Sequence, residues 1–208
     1  MAKRPGIQLG RSANTAAKTA AEEDAGLASR IARGEPAAIR EATEQFLPMV
    51  YAVARRMLRN DSDADDVAQE TFLRVWKNAG RWSPKGARLS TWVTRIAINL
   101  CYDRLRKVSR GQVTPLEDAP ELADDAPRAD TALATRENAG VLEQAVASLP
   151  ERQRAAIVLV HYEEMSNIEA AKAMEISVDA LESLLARGRR GLKQSLMAQK
   201  DDLLGEVS

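Results

Sequence analysis

The sequence predicts an all-α protein made of two small helical domains joined by a flexible acidic linker. Aromatic residues make up only 4% of the 208 residues, whereas the good helix formers Ala, Leu, Glu and Arg are abundant. Apolar residues recur at helical spacing over residues 25–107 and again from residue 138. Residues 108–137 contain three prolines, an acidic excess and no lasting apolar period, which is typical of a linker.

The first helical signals begin at Ala25. We expect residues 1–24, which are rich in Ala, Lys and Gly, to form a flexible tail. The helical spacing is interrupted at Gly34-Glu35-Pro36 and then continues to Leu58. Pro48 lies in this second stretch, where it marks either a helix entry or a kink.

The third helical stretch has two distinct faces. It opens at Ser62, which is followed three residues later by an acid, a pattern that can cap a helix N-terminus. Its apolar stripe consists of Ala68, Phe72, Val75, Trp76 and Ala79. A second face groups two acids, an amide and a leucine at helical spacing, namely Asp66, Gln69, Glu70 and Leu73. This face is either an interaction surface or a solvated surface with one stray leucine.

The fourth helical stretch begins at Thr91 and carries aromatic and cationic side chains beside its apolar stripe. The residues on this second side are Trp92, Arg95, Asn99, Tyr102 and Arg106. Rings can stack on bases, guanidinium groups can bind phosphates and an amide can read a base edge, so the side suits single-stranded nucleic acid. The connector over residues 81–88 adds Trp82 among further cations. The alternative is that these tryptophans are simply half-buried.

The second domain reads as a helix-turn-helix. Ser166-Asn167-Ile168-Glu169 forms a capping box at the start of a short helix. A turn at Glu175-Ile176-Ser177 leads to a second helix from Val178 to about Gln194. A general two-helix hairpin would need similar apolar positions. The cations at the end of the second helix favour a phosphate-binding role, and these are Arg187, Arg189, Arg190 and Lys193.

Charge and composition exclude several classes of protein. The net charge is zero, but residues 25–107 carry 15 Lys and Arg against 9 Asp and Glu, which concentrates positive charge in the first domain. No apolar run approaches the roughly 20 residues that a membrane span needs, and the N-terminus lacks the apolar region of a secretory signal. A single Cys and a single His argue against a disulfide and a zinc site. We therefore expect a cytoplasmic protein without metal or cofactor.

Three segments resemble a known family. DADDVAQETFLRVW followed by LSTWVTRIAINLCYDRLRK is similar to regions 2.2 to 2.4 of a bacterial RNA polymerase sigma factor, and LPERQRAAIVLVHYEEMS is similar to region 4.1. The compact chain resembles the extracytoplasmic-function (ECF) branch. The resemblance implies a sigma-2 bundle over residues 25–107, a linker over 108–137, a sigma-4 helix-turn-helix domain over 138–200 and a tail over 201–208.

The resemblance also implies partners: core RNA polymerase, through the clamp helices of its largest subunit and its flap, promoter DNA, and an anti-sigma factor. The implied polymerase-binding residues are Asp65, Asp66, Gln69, Glu70 and Leu73. Those implied for the −10 element are Arg81, Trp82, Trp92, Arg95, Asn99, Tyr102, Arg104, Arg106 and Lys107, with Asn99 as the base reader. Those implied for the −35 element are Ser177, Ala180, Glu182, Ser183, Ala186, Arg187, Arg189, Arg190 and Lys193.

Two residues depart from the family pattern. Glu175 stands where the turn usually has Gly, which adopts positive φ easily. Glu182 stands where a cation or small polar residue is commoner, and there it can accept from a cytosine amine or repel phosphate. The resemblance implies that the linker passes near the polymerase active-site channel and the RNA exit path, where its acidic residues would partly mimic nucleic acid. The alternative is that the linker is a passive tether.

Two other functions compete with this interpretation. A helix-turn-helix regulator acting without polymerase would leave the Asp66–Leu73 face and the Trp-rich connector without a role. An adaptor or anti-regulator is a further alternative. An enzyme is disfavoured, because His161 stands alone among apolar residues and Cys101 lies on an apolar stripe.

Overall fold

The computed structural model describes residues 9–111 and 140–205, and it describes side chains over residues 18–111 and 140–198. The predicted linker residues 112–137 and the last residues 206–208 lie outside the described residues. Over the described part the fold is helical throughout. The helices are α1 (Leu9–Ala32), α2 (Pro36–Leu58), α3 (Asp61–Asn78), α4 (Leu89–Ser109), α5 (140–147), α6 (Glu151–Ile157), α7 (Asn167–Ala173) and α8 (Val178–Gly205).

Helix α1 begins earlier than the sequence predicted, so the prediction of a flexible tail is wrong for residues 9–24. The cause includes a long-range contact that periodicity does not reveal. Asp24 is only 7% exposed, and its carboxylate accepts hydrogen bonds from Arg88 Nε at 2.6 Å and from the Leu89 backbone N–H at 2.9 Å. The first N–H groups of a helix have no partner within the helix. Asp24 therefore caps α4 from another part of the chain and fixes α1 against it.

The starts of α2 and α3 follow local chemistry. The break before α2 is confirmed, because Gly34 has φ 73° and Pro36 occupies the start of the helix. Helix α2 runs through Pro48, so that proline is not a helix entry. The N-cap of α3 is Asn60 rather than Ser62, since the Asn60 side chain accepts from the Asp63 N–H at 2.8 Å.

Helices α1 to α4 enclose one apolar cluster. Helix α2 packs on both α3 and α4, and α1 closes the bundle beside a short 3₁₀ turn at Ala79–Arg81. The predicted stripe of α3 is confirmed at Ala68, Phe72 and Val75, which are buried. The main members of this cluster are Leu27, Ile31, Phe46, Val50, Phe72, Val75, Leu89 and Val93.

Helices α5 to α8 form the second half. The capping box at Ser166 and Glu169 is confirmed, since each residue binds the backbone N–H of the other. The chain turns between α7 and α8 through Glu175, whose φ is 55°. Two glycines of α8 lie close to neighbouring side chains, one of them in α6 and the other in the segment just before α6. A Cβ on Gly188 would lie 2.9 Å from Ile157 Cγ1, and a Cβ on Gly191 would lie 2.9 Å from Leu149 Cδ2.

The two halves pack against each other. Met57, Ile98 and Cys101 of the first half belong to the same buried cluster as Ile157 and Leu159 of the second. Helix α7 lies on α4, and a π-helical turn that extends α6 over Val158–Tyr162 lies on α2. The predicted domains thus share one apolar core in this structure. Among the described helices, none is both long and apolar enough to cross a membrane.

Candidate nucleic-acid interface

The acidic face of α3 borders an open groove. This groove, which we call the α3–α4 groove, has a volume of about 730 Å³ and collects the predicted residues Asp66, Gln69, Glu70 and Leu73. Leu73 is 54% exposed and therefore accessible to a partner. Asp65 is exposed but does not line the groove. Four of the five predicted polymerase-binding residues therefore share one surface.

The opposite wall of the α3–α4 groove comes from the end of α4. It contains three residues that were predicted to hold phosphates near the −10 element, namely Arg104, Arg106 and Lys107. Arg104 donates to Asp63 through Nε at 2.8 Å and contacts Asp66 at 3.3 Å. The hydrogen bond to Asp63 raises the pKa of Arg104, and Arg106 pairs with Asp103. These cations lie beside the acids of α3 rather than beside the tryptophans.

A second cavity lies between the connector and the start of α4. We call it the tryptophan pocket. Its volume is about 340 Å³, and its lining residues are Arg81, Trp82, Ser83, Gly86, Ala87, Thr91, Trp92, Arg95 and Lys172. Four of the predicted −10 residues, Arg81, Trp82, Trp92 and Arg95, meet here. The pocket combines two indole rings with cations, which is the composition expected for binding a base and its phosphates.

Two polar atoms of the tryptophan pocket lack hydrogen-bond partners within the described part of the chain. They are Trp82 Nε1 and the hydroxyl oxygen of Thr91, both buried from solvent. Thr91 as a whole is 2% exposed. A buried donor without a partner costs about 1–3 kcal/mol. Because both atoms are buried, a ligand in the open pocket would reach them only if the lining side chains moved.

The rest of the predicted −10 face of α4 is divided. Asn99 is exposed but borders neither cavity. Arg95 donates to Glu175 Oε1 of the second half at 3.2 Å. The Tyr102 hydroxyl is buried beside Arg152, and burial raises the pKa of Tyr102 to about 12. The Tyr102 side chain as a whole is partly exposed.

The outer surface of α8 presents the predicted −35 residues together. Ser177, Glu182, Ser183, Ala186 and Arg187 are exposed and Ala180 is partly exposed. The cations Arg189, Arg190 and Lys193 are also exposed. Asn167 donates weakly to the Glu182 carboxylate at 3.4 Å, so this acid contacts the start of α7. Inward, α8 buries Leu181 and Leu185.

Comparisons with known proteins identify the family. Residues 43–111 match the model for Sigma-70 region 2, and residues 139–192 match the model for Sigma-70, region 4. The ECF RNA polymerase sigma factor SigM of Mycobacterium tuberculosis H37Rv is 31% identical over 173 residues, which cover 83% of this chain and 84% of SigM. The chain belongs to the ECF sigma factors.

Other relatives agree with this assignment. The ECF sigma factor SigW of Bacillus subtilis strain 168 is 29% identical over 175 residues, covering 80% of this sigma factor and 93% of SigW. The structure of CnrH in complex with the cytosolic domain of CnrY is similar with a TM-score of 0.64 and 26% identity, over 84% of this chain and 97% of CnrH. The sigma factor RpoE of Bartonella quintana, solved with the anti-sigma factor NepR, shares the fold with a TM-score of 0.59 at 22% identity over 76% of this chain and 96% of RpoE.

The assignment confirms the predicted family, the all-α fold and the function as an ECF sigma factor. Sigma factors are transcription initiation factors rather than enzymes.

The sequence analysis missed two residues of the site. Lys172 reaches the tryptophan pocket from α7, and Thr91 of α4 lines it as well. The position of Thr91 directly before Trp92 could have predicted that Thr91 lies beside the pocket. Lys172 is 80 residues beyond Trp92 in the chain, so only the fold could reveal its position.

Proposed function

We propose that this ECF sigma factor engages promoter DNA through the tryptophan pocket, where an unstacked base of the −10 non-template strand inserts. The observation that carries this assignment is the meeting of two indole rings, Trp82 and Trp92, with the cations Arg81 and Arg95 around one cavity. Stacking on an aromatic ring is worth about 1–3 kcal/mol per base. That free energy offsets part of the stacking lost when the duplex melts. Arg81 and Arg95 at the rim would bind the flanking phosphates.

Two further surfaces would bind core polymerase and the −35 element. The α3–α4 groove, with Leu73 exposed beside Glu70 and Gln69, would dock on core RNA polymerase. The exposed face of α8 would enter the −35 major groove, with Arg187 and Arg190 on the DNA backbone. Asn99 is exposed on α4. It would read another base of the same non-template strand, next to the base that enters the tryptophan pocket. We infer from these activities that the protein acts in the cytoplasm, where polymerase and DNA meet.

The test begins with in vitro transcription from a genomic fragment library, with core polymerase, to obtain a promoter. Open-complex formation is then measured by 2-aminopurine fluorescence in the −10 non-template strand. Trp82→Ala should lower the open-complex equilibrium roughly 10- to 100-fold, which corresponds to the loss of one base stack. Trp82→Phe should retain most of the effect because it keeps a ring.

The control is Lys77→Ala, which removes an exposed cation of α3 outside the tryptophan pocket. Closed-complex binding should be unchanged in both Trp82 variants. Normal open complexes with Trp82→Ala would refute the assignment of the pocket.

We also infer control by an anti-sigma factor. The support is the similarity to CnrH, which was solved with a cytosolic partner domain. A tagged copy purified from its own cells should carry a stoichiometric protein that inhibits transcription by the holoenzyme. Recovery of the free sigma factor alone under all growth conditions would contradict this inference.

A further inference from the structure

We propose that Glu182 makes this sigma factor select a C·G base pair in the −35 element. Its carboxylate accepts a hydrogen bond from the cytosine N4 amino group, and Asn167 positions that carboxylate. This selectivity rests on the proposed −35 role of α8 and names the base that the helix recognises. The −35 role alone leaves that base open, because contacts with phosphates carry no sequence information.

The charge of α8 is divided along the length of the helix. Its first nine residues, 178–186, contain two acids, Asp179 and Glu182, and no Lys or Arg. The next seven residues, 187–193, contain four cations and no acid, and all four cations are exposed. Cations are the side chains that bind the DNA backbone. The phosphate contacts of α8 therefore belong to residues 187–193.

The start of α8 is left to contact the bases. In a helix-turn-helix, the N-terminal residues of the second helix lie at the base edges of the major groove. Leu181 and Leu185 are buried on the inner side of α8, whereas Glu182, Ser183 and Ala186 are exposed on its outer side. Within the groove a carboxylate is favourable only against a hydrogen-bond donor, because the phosphates on either side repel it.

The choice of base follows from the groups that each base presents in the major groove. Guanine presents two acceptors, and thymine presents an acceptor and a methyl group, so both are unfavourable for a carboxylate. Adenine presents its N6 donor beside the N7 acceptor, which repels a carboxylate as well. Cytosine is the base whose own major-groove edge offers a donor without an acceptor. The carboxylate of Glu182 therefore favours cytosine.

Asn167 restricts the Glu182 side chain. Helix α7 packs on α8, and Asn167, the first residue of α7, donates from Nδ2 to Glu182 Oε1 at 3.4 Å. Within the described parts of the chain, Glu182 Oε2 accepts no hydrogen bond. One carboxylate oxygen is thus held by α7, and the other is free to accept from a base. A side chain that is already restricted loses less conformational entropy on binding.

The test uses the holoenzyme and the promoter obtained from the genomic fragment library. Each base pair of the −35 element is replaced in turn by the other three, and transcripts from the mixed templates are counted in one reaction. Wild-type holoenzyme should favour a C·G pair at one position by roughly 5- to 100-fold. Glu182→Ala should remove that preference and leave the preferences at the other −35 positions unchanged. Because Glu182 is exposed, its variant should keep the circular dichroism spectrum of the wild type.

The matched control is Asp179→Ala, which removes the other exposed acid of residues 178–186, three residues before Glu182. Each substitution removes one negative charge from the start of α8, so both should raise the affinity for every template by a similar factor. Only Glu182→Ala should change the relative use of the four base pairs. If Asp179→Ala removes the same preference to the same extent, charge alone explains the effect and the proposal is overturned.

A base analogue tests the hydrogen bond itself. The cytosine at the selected position is replaced by a pyrimidinone that pairs with guanine but lacks the N4 amino group. Transcription by the wild-type holoenzyme should fall by the same factor as the loss of preference in Glu182→Ala, and the analogue should have no further effect on that variant. Equal losses in both proteins would mean that the amino group contacts another residue, which overturns the proposal.

A second substitution tests the positioning role of Asn167. Asn167→Ala should lower the preference for C·G at the same position several-fold without removing it, because Glu182 keeps its carboxylate but loses its partner. The preferences at the other −35 positions should stay as in the wild type. An unchanged preference for C·G would overturn the role of Asn167.

Failure of this selectivity is distinguishable from failure of the proposed −35 role. If wild-type transcription responds to no base pair of the −35 element, α8 does not read that element, and the −35 role and the selectivity fail together. If transcription responds to −35 base pairs but Glu182→Ala changes none of the preferences, the selectivity alone fails. It also fails alone if Glu182→Ala changes a position at which the wild type does not favour C·G.

Discussion

Tyr102 shows most clearly how one side chain reports on the contact between the halves. Burial keeps its phenol neutral and raises its pKa from 10.0 to about 12, with Arg152, Cys101 and Glu151 as its charged or titratable neighbours. The folded protein therefore holds this proton at a pH where the unfolded chain has lost it. The resulting stability is fully present below pH 10 and is lost as the pH rises through about 12.

We expect Tyr102→Phe to differ little from the wild type in stability at neutral pH, because the substitution keeps the ring and removes both a buried hydroxyl and its contact with Arg152. The decline in stability above pH 10 should also become shallower. Urea unfolding at a series of pH values measures both effects. Tyr51→Phe is the control, since the Tyr51 hydroxyl contacts Asp61 at 3.5 Å. A loss of stability in Tyr102→Phe would show that its hydroxyl is satisfied in solution.

At the scale of elements, the crossing of α6 and α8 depends on glycine. Gly188→Ala would place a Cβ against Ile157, which is fully buried and cannot move freely. Overpacking of this kind costs about 1–3 kcal/mol, more than the gain of about 1 kcal/mol in helix propensity. We expect a net loss of stability in thermal unfolding.

The control for this prediction is Gly26→Ala in α1, where nothing lies within 4 Å of the added Cβ. It should raise stability through helix propensity alone. Equal effects of the two substitutions would show that α6 and α8 do not meet at Gly188.

The exposed Leu73 of α3 leads to a separate prediction about the affinity for core polymerase. Leu73→Ala should weaken binding to core polymerase about tenfold or more, because an exposed leucine of an interface loses its contacts. The free energy of unfolding should stay nearly constant, since Leu73 is 54% exposed. Leu47→Ala on α2 is a matched control, because Leu47 is an exposed leucine outside the α3–α4 groove. Unchanged affinity on titration of labelled protein with core polymerase would remove Leu73 from the interface.

For the whole molecule, the shared apolar cluster predicts one cooperative unfolding transition. All three tryptophans lie in the first half, so their fluorescence reports on α1 to α4, whereas circular dichroism reports on every helix. Because Met57 lies in the shared cluster, the two signals should change together, and Met57→Ala should lower both midpoints. Two separate transitions in the wild type would mean that the halves unfold independently.

The sequence predicted the features of the fold that depend on residues close together in the chain. Helical spacing identified the α3 face of Asp66 to Leu73, and the capping box at Ser166 needs only four residues. The sequence could not predict ion pairs between residues that are far apart in the chain. Asp24 meets Arg88 and Arg104 meets Asp63 only after the bundle has formed. The same limit explains why Arg104 was assigned to DNA although acids of α3 surround it, and why the burial of Tyr102 was not foreseen.

The turn at Glu175 has a genetic consequence. Its positive φ suits glycine better than glutamate, and its carboxylate holds Arg95. Both glutamate codons become glycine codons through one base change at the second position. A single point mutation would therefore remove the ion pair and relieve the backbone strain at once.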